Sequence, residues 1–152
     1  KEVLLTSPYF IPDETILNAI KVVALSGVSV KVLVPGISDS KIVNAVSASY
    51  YKELMESGVE VHRYQKGFVH AKTMVCDSQL SMVGSANMDF RSFDLNFEAN
   101  AIIYDTTIAE ALRAQFYKDL DDSEQIDPVQ WRKRSRMQKF KERLVRLAAP
   151  LM

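Results

Sequence analysis

The sequence predicts an α/β fold, a mixed β-sheet flanked by helices on both faces, and two observations predict it. Over the first sixty or so residues, short apolar runs alternate with apolar residues spaced by three and four. Strand, helix, strand, helix and strand follow in turn, an order that implies parallel pairing. From Gly67 the period becomes two and returns across a turn, which implies antiparallel neighbours. At 152 residues and 17.2 kDa, with 47% hydrophobic and 25% charged residues, one domain is the expectation. A chain of this length can bury roughly 70% of its unfolded surface. With Cys76 alone, no intrachain disulfide supports that core.

The elements justify themselves in order. Leu4 and Leu5 open a strand that meets Ser7-Pro8, and Pro12-Asp13-Glu14 starts a helix carrying Ile16, Leu17, Ile20, Val23 and Ala24 as far as Gly27. Val28 to Val34 is a second strand. Ser38-Asp39 caps a helix bearing Ile42, Val43, Val46, Tyr50, Leu54 and Met55, which stops at Gly58 before the strand Val59 to Val61. Phe68, His70, Lys72 and Met74 then share one strand face, with Val69, Ala71, Thr73 and Val75 on the other. Asp77-Ser78-Gln79 turns, Leu80 to Val83 pairs back, and Gly84-Ser85-Ala86-Asn87 forms a loop. A strand from Phe97 to Tyr104 precedes a helix of about 15 residues that starts near Asp105. The last helix starts near Asp127-Pro128 and puts Trp131, Met137, Phe140, Leu144, Leu147 and Leu151 on one stripe. Residues 1–127 thus form the domain and 128–152 a basic amphipathic helix.

Charge divides the chain. Nineteen basic and nineteen acidic residues cancel, so no global argument for nucleic acid or anionic lipid stands. Residues 131–146, however, hold eight basic residues against Glu142, a local balance of +7 that leaves −7 on the rest. Such a segment suggests an anionic partner, lipid headgroups or nucleic acid, or else a solvated helix face. The apolar stripe has two readings: docking onto the body, preferred because such helices close small α/β domains, or contact with a membrane surface. No apolar run approaches the roughly 20 residues of a membrane span. The opening, without methionine or a long apolar stretch, reads as that of a piece of a longer polypeptide.

His70 and Lys72, two apart on a strand, can meet one ligand from one side, and phosphate fits both. An imidazole can attack phosphorus or move a proton, and an ammonium stabilises charge on the non-bridging oxygens, with no metal or other cofactor needed. Ser85 and Asn87 can donate to the same oxygens. Glu98, with Asn96 and Asn100 on its face, can accept the second N–H of the imidazole and fix its tautomer. With two His, eleven Lys and ten Asp, a His followed by Lys at +2 and Asp at +7 arises by chance in roughly one such sequence in a hundred. Cys76, with no base beside it, reads as a small buried hydrophobe, and Met74, Met82 and Met88 as core or headgroup-pocket lining.

His70-Ala71-Lys72, with Asp77 seven residues after the histidine, and Gly84-Ser85-Ala86-Asn87 resemble the HxK(x)4D and GSxN motifs of the phospholipase D superfamily. The longer run GSANMDFRSFDLNFE, with Thr6 to Glu14 and Leu33-Val34-Pro35-Gly36, is similar to the C-terminal half of bacterial cardiolipin synthases, as is the end from Trp131 to Met152. The resemblance implies a phospholipase D-like fold and a phosphatidyl transfer through a phosphohistidine. Two phosphatidylglycerol molecules would become cardiolipin with release of glycerol, in association with the bacterial cytoplasmic membrane. By position it assigns His70, Lys72, Asp77 and Glu98 to catalysis, and His70, Lys72, Ser85 and Asn87 to the substrate phosphate. On chemical grounds Asp77 is the exception, since beyond the strand it should hold the hairpin together.

The mechanism implied needs two such motifs, and His62 cannot supply the second because position 64 is Tyr64. The partners expected are therefore phosphatidylglycerol, an anionic membrane surface, and a second HKD half from elsewhere in the protein or from a second copy. Whether His70 is nucleophile or general acid and base stays open. Two alternatives are a single-motif phosphodiesterase or nuclease acting as a homodimer, and a non-catalytic module that binds anionic lipid. The nuclease reading is disfavoured, because the basic excess lies far from the motif.

Overall fold

The computed structural model describes residues 1–147 of the chain, so Leu151 and the rest of 148–152 lie outside the described residues. Among the described residues the main sheet has seven strands in the order β8-β6-β5-β1-β3-β4-β9. β1 (Glu2–Thr6) is central, parallel to β3 (Ser29–Pro35), which is parallel to β4 (Glu60–Tyr64). On its other side β1 pairs antiparallel with β5 (Thr73–Cys76), followed by β6 (Leu80–Gly84) and β8 (Asn100–Ile103). The sheet is mixed, as the sequence predicts.

Both faces of the central strands are covered, which explains their unbroken apolar runs. On one face Leu5, Val30, Val32 and Val34 pack with Leu17 of α1 (Glu14–Leu25) and Val46, Tyr50 and Leu54 of α2 (Lys41–Glu56). On the other, Leu4, Leu33 and Val75 pack against Ala109 and Phe116 of α4 (Thr106–Asp121). α1 begins where expected, with Asp13 accepting from the Ile16 N–H, and Gly27 follows it at φ +87°, the left-handed region that a side chain disfavours. The cap of α2 is Ser40 rather than Ser38-Asp39, because the Asp39 carboxylate is taken by the Tyr9 hydroxyl at 2.7 Å.

Four further features depart from expectation. β9 (Ser123–Gln125) pairs antiparallel with β4 although it carries no apolar residue; its backbone ladder and the Arg63–Glu124 ion pair hold it. β2 (Phe10–Ile11) and β7 (Met88–Asp89) form a small parallel pair, and α3 (Phe90–Asp94) follows it. The last helix is two: α5 (Pro128–Arg132) and α6 (Arg136–Arg146), separated where Ser135 opens a capping box with Gln138. Of the expected stripe, Trp131 packs against Tyr51 at 5.6 Å between ring centroids, while Met137, Phe140, Leu144 and Leu147 stay exposed. Trp131 thus docks on the body, and Met137, Phe140, Leu144 and Leu147 do not.

His62, expected at a strand end, lies inside β4 between Leu33 and Gln125 and is buried. Burial pushes its imidazole below its ordinary value of 6.5, a loss only partly offset by Glu60 at 3.4 Å. The unfolded chain binds the proton more readily, so this contribution to stability is present above about pH 6.5 and is lost as pH falls through the folded value. Thermal melts between pH 7 and pH 5 should show Tm falling with pH, and His62→Gln should flatten that part of the curve. An equal slope in the variant would overturn this assignment.

Candidate functional site

Strand pairing decides where the motif sits. β5 starts at Thr73, opposite Thr6, the last residue of β1, and the Gly84 N–H donates to the Lys72 carbonyl at 3.2 Å. β1 extends no further and β6 reaches only as far as the Lys72 carbonyl, so His70 and Lys72 lie on the segment that leads into β5, not on a strand as expected. His70 is exposed, and its ring stands edge-on to Tyr9 at 6.2 Å and tilted to Phe68 at 5.2 Å between centroids. Among the described residues no hydrogen bond engages its ring nitrogens. The Lys72 ammonium donates to the His70 carbonyl at 3.0 Å; burial pushes its pKa down, and the carboxylates of Glu98 and Asp89 pull it back.

Gly84 is where the two strands of the site meet most closely. A Cβ there would fall 1.9 Å from Asn100 Oδ1 and 2.6 Å from the Ala99 carbonyl. Ser85 follows immediately: its hydroxyl donates to the Glu98 carboxylate and accepts from the Ala99 N–H at 3.0 Å. Asn96 donates to the other Glu98 oxygen at 3.3 Å. The expected hydrogen bond from His70 to Glu98 is therefore not formed; the carboxylate is committed to Ser85 and Asn96. Glu98 also precedes β8, which is shorter than the strand expected from Phe97 to Tyr104.

Ser7 carries the next connection. It is buried; its hydroxyl donates to the Tyr9 carbonyl at 2.7 Å and accepts from the Met88 N–H at 3.0 Å, which ties the end of β1 to the segment after Asn87. Asn87 donates its backbone N–H to Ser92 at 3.1 Å, and the buried Asp89 caps α3 through the Ser92 N–H at 2.7 Å. Beside them a cleft of about 380 Å³ is lined by Tyr9, Ser40, Asn87, Asp89, Arg91 and Asn96, among others. The hydrogen bond to Asp39, then burial, pushes the Tyr9 phenol up to about 12, so it keeps its proton and serves as a wall. Sequence reasoning gave Tyr9, Phe68, Asp89 and Arg91 no role. Asp89 with Ser92 three residues on was a legible cap signal, and Phe68 shares the alternation of His70.

Asp77 is at the other end of β5, four strand residues or about 13 Å away. Asp77 and Ser78 both adopt positive φ, as in a tight hairpin turn, and the Asp77 carboxylate accepts from the Glu2 N–H at 2.7 Å while its own N–H donates to the Glu2 carbonyl. It holds the hairpin to β1, at the end of β5 away from His70 and Lys72. Cys76 is half-buried in an apolar cavity with Val3, Met74 and Met88, where burial pushes its thiol up. Met74, Met82 and Met88 belong to the core. Among the described residues no group of three or more His, Cys, Asp or Glu side chains converges to hold a metal ion.

The family described as cardiolipin synthase, PLD-like domain, matches over residues 1–120. Cardiolipin synthases of Listeria monocytogenes and Clostridium perfringens are 47% and 44% identical to this chain over 152 residues. The chain spans 32% of the length of these curated relatives. Among solved structures, the phospholipase D family member Nuc of Salmonella typhimurium superposes with a TM-score of 0.71 at 17% identity, covering 83% of this chain and 82% of its own. Phosphatidylserine synthase of Haemophilus influenzae gives 0.73 at 17% identity, covering 99% of this chain and 40% of its own. These two share the fold.

Replacing Gly84 by Ala should cost about 1 to 3 kcal/mol through overpacking against Ala99 and Asn100. Urea denaturation measures this, and a variant as stable as the parent would show that the approach is not tight.

Proposed function

This chain belongs to the cardiolipin synthase PLD-like domain family, and on that premise we propose that it supplies one of two half-sites for phosphatidyl transfer. The observation that carries the reading is the Glu98 carboxylate held by Ser85 at the end of β6 and acting on the Lys72 ammonium, with His70 exposed and its ring nitrogens in no hydrogen bond among the described residues. Phe93, Leu95 and Phe97, which follow that loop in sequence, are exposed, as the surface that receives a second half-domain would be. The chain spans 32% of its relatives' length, which leaves room for that half in the same polypeptide.

In the proposed reaction an imidazole nitrogen attacks the phosphorus of phosphatidylglycerol. The P–O bond to the headgroup glycerol breaks, and the histidine of the other half gives that oxygen a proton. A hydroxyl of a second phosphatidylglycerol then attacks the phosphorus and gives its proton to the other half's histidine, while the P–N bond breaks, which forms cardiolipin and restores the free imidazole. Either role suits His70. Lys72 and Asn87 would bind the non-bridging oxygens, where charge grows in the transition state. The Ser85 hydroxyl donates its hydrogen bond to Glu98, so a phosphate that accepts that bond instead would free Glu98 to accept the imidazole N–H. Substrate arrival would thereby complete the orientation of His70. Activity at the bacterial cytoplasmic membrane follows from the lipid substrate. Among the described residues no helix is long and apolar enough to cross a membrane.

The test is transfer on phosphatidylglycerol vesicles, with cardiolipin and phosphatidic acid followed by mass spectrometry over a protein concentration series. Turnover should appear when the second half is present in the same polypeptide, and should fall at least about a thousandfold in His70→Ala. Product from this chain alone, rising more steeply than linearly with concentration, would replace the two-half reading with a homodimer. Turnover that survives His70→Ala would overturn both.

A further inference from the structure

α6 is fixed to the body by its inner side. Val145 packs against the core, and the Arg146 guanidinium lies 4.3 Å from the centre of the Tyr50 ring and pairs with Glu53 at 3.2 Å. Met137, Phe140, Leu144 and Leu147 are 64%, 59%, 51% and 78% exposed. Their spacing of three, four and three puts them on one face. The segment that carries them has a charge of +7 in sequence, whereas the remainder of the chain carries −7. An apolar stripe within a strongly basic segment is complementary to an anionic bilayer surface, where aliphatic and aromatic side chains enter the acyl boundary while ammonium and guanidinium groups meet phosphates.

We propose that α6 is an interfacial helix that lies in the plane of an anionic phospholipid surface and seats the domain on it. The proposal takes the identity of the surface from the phospholipid reading of the His70 site, but its mechanics are independent of that chemistry. Because the docked side of α6 is held by Val145 and Arg146, the exposed stripe can enter the surface without the helix leaving the body.

Flotation of the 152-residue chain with vesicles tests this. The chain should float with phosphatidylcholine vesicles that contain phosphatidylglycerol, not with phosphatidylcholine alone, and the bound fraction should fall as salt rises. The triple variant Met137→Ser, Phe140→Ser, Leu144→Ser changes exposed side chains only; it should keep its melting temperature and lose roughly a hundredfold in partitioning. His70→Ala should float as the parent does, so failure of the transfer reading leaves this result untouched. Undiminished flotation of the triple variant, or equal flotation with neutral vesicles, would overturn the proposal. So would a parent that is dimeric by light scattering with a monomeric triple variant, which assigns the stripe to a second copy.

Discussion

The hydrogen bond from the Gly84 N–H to the Lys72 carbonyl closes the β5–β6 ladder, and the side chains on either side of it take their places from that closure. One residue past the end of β6, Ser85 turns toward Glu98; just before β5, Lys72 ends the segment on which His70 sits. The approach of Gly84 to Ala99 and Asn100 leaves no room for a Cβ, so the glycine of the loop is a packing requirement before it is a chemical one. Ser7 supplies the second constraint, since one buried hydroxyl bridges the Tyr9 carbonyl and the Met88 N–H. Few backbone groups thus position the candidate site.

Much of this was legible in the sequence because it is written in periodicity. The buried runs of β1 and β3, the Asp13 cap of α1 and the hairpin around Asp77 each follow from local pattern. What escaped was set by pairing rather than by side chains. Nothing in Ser123-Glu124-Gln125 announces a strand, because its ladder with His62, Arg63 and Tyr64 uses the backbone. His70 and Lys72 keep the alternation of a strand, yet no partner extends far enough to make it one. Which group holds Glu98 depends on the closeness of Ser85, a fact of tertiary pairing and not of local pattern.

The charge division of the sequence becomes spatial in the fold. Part of the basic C-terminal segment is spent on the acidic body: Arg146 on Glu53 and Arg132 on Glu56. Pairs this exposed contribute little to stability. Tyr51 with Trp131 and the packing of Val145 do more to keep α5 and α6 in place, so their attachment should withstand salt.

The position of β1 has a consequence for how the molecule assembles. It is the middle strand of the sheet, yet its neighbours come from residues 29–33 on one side and 73–76 on the other. The contacts made within the stretch from Lys72 to Asn100 are nearer in sequence than the β1–β5 pairing, while Ser7 joins this corner from the far end of the chain. Closing a long loop before it is rewarded slows folding, whereas a hairpin closes quickly. The β5–β6 hairpin, whose partners are near in sequence, is thus favoured to form before β1 pairs with β5, whose partners lie far apart.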